Sequence, residues 1–141
     1  MENNLVKTYC GNQFIDDRGS VKFVNSFDFE GVKRFYQVSN HSKGFIRAWH
    51  GHMKEAKYVY AAKGSALVGL VNLETEEVEK LTLTSEKPSV LYIPAGYANG
   101  FKTLTDDASL IFFSTSTLEE SNGDDIRFEW DKWNIWQEVY R

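Results

Sequence analysis

The sequence predicts an all-β protein, two antiparallel sheets closed into a sandwich or jelly roll, in a single domain over residues 1–141. Three observations carry this. Short runs rich in Val, Ile, Phe, Tyr and Thr recur along the chain with turn residues between them. Helical periodicity is weak. Strand and turn alternate at regular intervals, which favours a sandwich or barrel over a layered α/β fold.

Strands are expected, in chain order, at "SVKFVN" (20–25), at "KRFYQVS" (33–39) around Phe35, Tyr36 and Val38, and at "GFIRAWH" (44–50). Next come "KYVYAAKG" (57–64) and "SALVGLVN" (65–72), both dense in β-branched or aromatic residues. In "KLTLT" (80–84), Leu81 and Leu83 alternate with polar neighbours, as a half-buried strand requires. "SVLYIP" (89–94) and "SLIFFSTS" (109–116) complete the set. "NLETEE" (72–77) and "TDDA" (105–108) read as hairpin loops, and "DKWNIWQEVY" (131–140) as one short helix. Trp130, Trp133 and Trp136 recur every third residue there; core or dimer packing is the favoured use, stacking on a base or sugar the alternative.

Composition narrows the function. Hydrophobic residues make up 42% and aromatic residues 15%, enough for a packed core. A net charge of -4 argues against general nucleic-acid binding, which rests on neutralising phosphates with Lys and Arg. Cys10 is the lone cysteine, so no internal disulfide forms, as suits a reducing compartment. "MENNLVKTYC" has no apolar run of signal-peptide length, and no stretch reaches the roughly 18 apolar residues that span a bilayer. A soluble, cytoplasmic protein is expected.

Two of the three histidines, His50 and His52, stand in "IRAWHGH" (46–52). Side chains on a strand alternate faces, so both should point one way, together with Ile46 and Ala48, while Trp49 faces the core. Such a pair is an idle strand end, a metal site or an acid/base site. The frame resembles the first cupin motif: Gly44, five residues, His50 and His52, four residues, Lys57, six residues, Gly64. Metal cupins carry Glu where Lys57 stands. The second cupin motif ends in His, whereas "PAGYAN" ends in Asn99. Half of the metal ligands are thus replaced, and a lysine ammonium repels a divalent cation. No metal is expected.

Lys57, Arg47 and Arg18 add positive charge around the histidines. Such a pocket suits an anionic substrate, or an enolate formed by removing a proton beside a carbonyl. Imidazole is the natural base near neutral pH. Solvation at the surface is the ordinary fate of Arg18 and Lys57 taken alone.

From residue 14 to 136 the chain resembles the RmlC-like cupins, the dTDP-4-dehydrorhamnose 3,5-epimerases, and their relatives the dTDP-sugar 3,4-ketoisomerases. "FIDDRGS" is similar to a family stretch ending in D-x-R-G, "SNHSKGFIRAWHGH" to "NHS…KGVLRGLH", and "EAKYVYAAKG" to "KLVRVxxG". "LYIPAGYANGF" is similar to "LWIPEGFAHGF", and "DDIRFEW" with the Trp-rich end to "IRWDDP…W". The paired histidines of "RAWHGHMK" are instead similar to the ketoisomerase segment "RGFHAHK".

The resemblance implies a cupin jelly roll that binds a nucleotide-diphospho-sugar and forms a homodimer by exchanging N-terminal strands. It implies His50 as the base beside a C4 ketone, with His52 as the ketoisomerase-type second histidine. Arg47 and Lys57 bind substrate and stabilise the enolate, and Arg18 contacts the nucleotide diphosphate. A C-terminal carboxylate, Asp131 or Glu129, pairs with His50. Tyr36 is the counterpart of a ketoisomerase tyrosine near the sugar. Asn99 stands where the family has a second histidine. Phe112 stands where the epimerases have a proton-donating tyrosine, and it has no proton to give. Both are counted with the substrate-binding side chains. Three outcomes follow: an epimerase acting at one or two centres, a 3,4-ketoisomerase, or a nucleotide-sugar-binding module without chemistry.

Overall fold

The computed structural model describes residues 5–141; residues 1–4, part of the expected domain and of the stretch read above for a leader, lie outside the described residues. In chain order the elements are β1 (Lys7–Cys10), β2 (Asn12–Asp16), β3 (Gly19–Phe23), β4 (Arg34–Ser39), β5 (Ile46–His52), β6 (Lys57–Lys63), β7 (Ser65–Asn72), β8 (Val78–Thr84), β9 (Ser89–Ile93), β10 (Tyr97–Thr103), β11 (Ser109–Ser114), α1 (Leu118–Asn122) and β12 (Ile126–Arg127). One five-stranded sheet runs β1-β9-β6-β11-β4, a second runs β12-β5-β10-β7-β8, and β2 pairs with β3 in a separate hairpin. All pairings are antiparallel. This is the cupin jelly roll. Among the described residues no helix is long and apolar enough to cross a membrane.

The core fills the space between the two five-stranded sheets, where Val59 and Ala61 of β6, Ala66, Val68 and Leu70 of β7, and Leu110 and Phe112 of β11 meet. Their period-two spacing puts alternate residues inward. Burial of each large apolar side chain contributes roughly 1.5–3 kcal/mol. In β10, Tyr97 and Phe101 point into this core, and Asn99 lies between them on the same face.

A second apolar cluster lies on the outer face of the second sheet. Trp49 of β5, Val71 of β7 and Ala98 of β10 pack there against Trp136, with Trp133, Ile135 and Phe128 around them. The segment after β12 therefore straps across the back of the sheet, and the expected helix over 131–140 does not form. The Trp130 carbonyl accepts hydrogen bonds from both the Trp49 and the Trp136 indole N–H, at 3.1 and 3.0 Å. Indoles thus take a carbonyl that a helix would have used, and burial of Trp136 outweighs local helix preference. Lys102 closes the strap by donating to the Trp136 carbonyl, at 2.9 Å.

Ile46 and Ala48 were expected beside the histidines, but both pack into the outer cluster with Trp49. The register against β10 shifts here: His50 pairs with Asn99, but Arg47 pairs with Phe101. Such a bulge inserts an extra residue and resets the alternation, so Arg47 shares the inner face with His50 and His52. Gly100 permits the close approach, because a Cβ there would lie 2.5 Å from the Ala48 Cβ.

Candidate active site

One end of the barrel opens into a cavity of about 260 Å³. Its inner wall carries Arg47, His50 and His52 from β5, Lys57 from β6, Asn99 from β10 and Phe112 from β11. Tyr36 of β4 closes one side, its ring stacked on Phe112 with centroids 5.1 Å apart. Ser121 and Asn122 at the end of α1, with Asp125 and Arg127, form the rim. A capping box holds α1: the Thr117 hydroxyl accepts from the Glu120 amide, and Glu120 accepts from the Thr117 amide.

Seven of the nine side chains singled out from the sequence thus meet at one cavity: Tyr36, Arg47, His50, His52, Lys57, Asn99 and Phe112. Two do not. Asp131 is exposed on the strap and does not line the cavity. The carboxylate that faces the histidines is Asp125, whose Oδ1 lies 4.0 Å from His50 Nδ1 and 3.9 Å from His52 Nε2. Glu129, the other option, is also exposed. The reason is pairing: β12 adds to the edge of β5, Ile126 opposite Gly51 and Arg127 opposite His50, so the residue just before β12 reaches the site. Arg18 is also displaced. It sits in the two-residue turn of the β2–β3 hairpin, its side chain 84% exposed and paired with Asp16 at 2.5 Å, outside the cavity of its own chain.

Lys57 is the best-held group. It is buried, and its Nζ donates to Asn99 Oδ1 at 2.9 Å and lies 2.9 Å from His52 Nδ1. Burial pushes it down to about 8, against the opposing pull of Glu55 and Asp125. An ammonium can only donate, so while Lys57 is protonated His52 Nδ1 is the acceptor of this contact and the proton of that ring belongs on Nε2. His52 is held below the ordinary imidazole value by burial and by Lys57, against Glu55, Asp124 and Asp125. His50 is also held low, by burial first and then by Arg127, Lys57 and Arg47, while Asp125 opposes. A neutral imidazole open to the cavity, ringed by cations, can take a proton; Asp125 then stabilises the imidazolium. Burial and the Glu55 carboxylate raise Tyr36 to about 12, so its hydroxyl keeps its proton.

Arg47 is oriented from outside the cavity, its Nε donating to Asn40 Oδ1 at 2.7 Å. Asp124, beside Asp125, has a different task. It accepts from the Met53, Lys54 and Glu55 amides at 2.9, 2.8 and 3.0 Å and fixes the loop between His52 and Lys57. Burial works against its charge, but the three amides hold it below the usual carboxylate range. Among the described residues no three His, Cys, Asp or Glu side chains are grouped as metal ligands. Asp125, Arg127 and Glu55 went unmarked in the sequence reading; the only signal was the acidic pair ahead of "IRFEW".

Comparison with known proteins gives the following. The family model described as dTDP-4-dehydrorhamnose 3,5-epimerase matches residues 5–139. The spore coat polysaccharide biosynthesis protein SpsL of Bacillus subtilis is 28% identical over 137 residues, covering 89% of this chain and 91% of that protein. The crystal structure of dTDP-4-dehydrorhamnose 3,5-epimerase from Bacillus anthracis, with TDP and PPi bound, superposes with a TM-score of 0.80 at 18% identity, covering 96% of this chain and 85% of that one. The sugar 3,4-ketoisomerase QdtA from Thermoanaerobacterium thermosaccharolyticum, in complex with TDP, gives a TM-score of 0.71 at 22% identity, covering 91% and 90%. At these identities the solved structures show a shared fold.

Proposed function

The chain belongs to the dTDP-4-dehydrorhamnose 3,5-epimerase family, a family of sugar isomerases, and from that premise we propose that it is an isomerase of a nucleotide-diphospho-4-keto-6-deoxysugar with His50 as its base. The observation that carries the reading is His50 on the cavity wall, with Asp125 4.0 Å from its Nδ1 and Lys57 and Arg47 lining the same cavity. His50 takes the proton from the carbon next to the ketone. The electron pair of that bond moves onto the carbonyl oxygen, and the cations stabilise the resulting enolate. Return of a proton to the opposite face of the same carbon gives epimerisation. Phe112 has no proton to supply, so epimerisation at one centre, with Tyr36 or water as donor, is favoured over two.

A 3,4-ketoisomerase is the second reading. Two histidines facing one cavity favour it, since carbonyl and proton then exchange between neighbouring carbons.

We infer a homodimer that exchanges N-terminal strands. Phe14, Ile15 and Val21 on the β2–β3 hairpin are 62, 68 and 63% exposed, apolar surface of the kind a partner covers. In such a dimer Arg18 serves the partner's cavity, where it meets the nucleotide diphosphate. The one-domain organisation and a cytoplasmic location belong to this same proposal, as does chemistry without metal or organic cofactor.

The test is NMR of dTDP-4-keto-6-deoxyglucose incubated with the protein in deuterated water. Deuterium entering at C3, with the ketone still at C4, supports the epimerase; a ketone at C3 supports the ketoisomerase. Binding with no exchange at any carbon overturns both.

A further inference from the structure

One buried carboxylate acts on both Lys57 and Tyr36 without lining the cavity itself. Glu55 is 2% exposed, and among the described residues neither of its carboxylate oxygens has a partner within hydrogen-bond distance. A buried carboxylate in that position is costly unless nearby charge compensates it. Two cations flank it: Lys57 Nζ lies 3.7 Å from Oε2, and Arg34 Nη2 lies 3.8 Å from Oε1. Arg34 is anchored separately, its Nε donating to the Ser116 carbonyl at 3.1 Å and its guanidinium lying 5.0 Å from the Tyr36 ring centroid. The backbone of Glu55 is fixed too, since its amide donates to Asp124. The carboxylate thus stands between the Lys57 and Arg34 cations, 3.7 Å from the one and 3.8 Å from the other.

We propose that Glu55 is a positioning residue: its buried carboxylate keeps Lys57 as an ammonium pressed against His52 Nδ1, so that His52 presents its Nε2 proton to the cavity. The role deepens the isomerase reading and rests on it for its use in catalysis. The groups that face Lys57 are His52 of β5, Asn99 of β10, Arg34 of β4, Asp125 ahead of β12, and Glu55 itself. Glu55 is the nearer of the two carboxylates acting on the ammonium and the more strongly stabilising. Asp125 already answers to the histidines and to Arg127, which donates to it at 2.8 Å. Without Glu55 the burial that disfavours the ammonium is left poorly opposed. Lys57 then gives up its proton at lower pH and stops specifying which ring nitrogen of His52 is protonated.

The test uses the whole protein, labelled with ¹⁵N-histidine and ¹³C-lysine, and its Glu55→Gln and Glu55→Asp variants. In the unaltered protein at pH 7, His52 is expected as the Nε2–H tautomer; the Nδ1–H tautomer overturns the proposal, whether or not any variant folds. In Glu55→Gln the Lys57 midpoint should move down by a pH unit or more, and the alkaline limb of kcat/KM should follow it. The rate should then recover towards normal near pH 6. Glu55→Asp should restore most of the midpoint. A Lys57 midpoint that stays put, or a rate lowered equally at every pH, overturns it. Should the protein fail to isomerise the keto-sugar at all, the two spectra of the free protein still decide the role of Glu55, and only the reading of the reaction falls.

Discussion

Raising the pH from 7 to 10 should make this protein more stable while switching its reaction off. Lys57 titrates at about 8 in the folded chain and at 10.5 when exposed. Below 8 both states carry the proton, and the folded state bears the full burial penalty. Between 8 and 10.5 the folded state has released that proton and the unfolded state still holds it. The unfolded state then binds more protons, so stability rises with pH. Each pH unit in that window adds about 1.4 kcal/mol, so about 3 kcal/mol accumulates from this group by pH 10. Beyond that point Tyr36, raised to about 12, works the other way, because an unfolded tyrosine loses its proton first. Activity should fall through the same window, since the enolate loses its ammonium. The assay is urea unfolding at a series of pH values between 7 and 10, for the unaltered protein and for Lys57→Met in parallel. Contributions from groups that do not interact with Lys57 cancel in the difference. If the unaltered protein gains no more stability with pH than Lys57→Met, burial of the ammonium has been misjudged and the reasoning fails.

His50→Asn should cost about 10²- to 10⁴-fold in the rate of deuterium exchange and leave the thermal midpoint near its original value, because general acid/base groups carry that much; a loss of a few-fold would remove His50 as base. Asp125→Asn should lower kcat more than it raises KM, since its charge counts most when the imidazolium forms, and steady-state kinetics will separate the two. Phe112→Tyr puts a hydroxyl on the wall facing Tyr36; exchange newly appearing at C5 by NMR would identify that wall as the acid position. Gly69→Ala should destabilise by about 1–3 kcal/mol in chemical unfolding, the usual range for overpacking, because its Cβ would run into the Trp49 ring and come 2.6 Å from Ile135 Cδ1.

Every strand read from the sequence is present, and "SALVGLVN" matches β7 at both ends. The strands β1, β2, β10 and β12 went unread. "YANGFKT" looks like loop because Ala98 and Gly100 are small; they are small because the outer face of β10 lies against Trp49 and Ala48. The strap was mistaken for a helix because tryptophans three apart imitate a helical face, whereas one carbonyl bonded by two indoles depends on contacts across the sheet. At the site, the histidines and Lys57 were legible because their local spacing resembles the first cupin motif. Asp125 was not: the choice among several C-terminal carboxylates is made by the pairing of β12 with β5, a register between distant segments. Arg47 reaches the cavity through a bulge, which defeats strict alternation. Glu55 was invisible for another reason, since a lone charged residue in a loop reads as solvated until the fold buries it.

The indoles behind β5 offer a built-in spectroscopic probe. Trp49 stands 5.1 Å from Trp136 at a 37° tilt and 5.6 Å from Trp133 at a right angle. Rings so close and so fixed in mutual orientation lie in an asymmetric setting, so the amplitude of their near-ultraviolet circular dichroism band should depend on this arrangement. Trp49 directly precedes His50, the proposed base, on its strand, so that band reports the back of the candidate site without any label. Ligand-driven movement of the strand should be readable as a change in its amplitude.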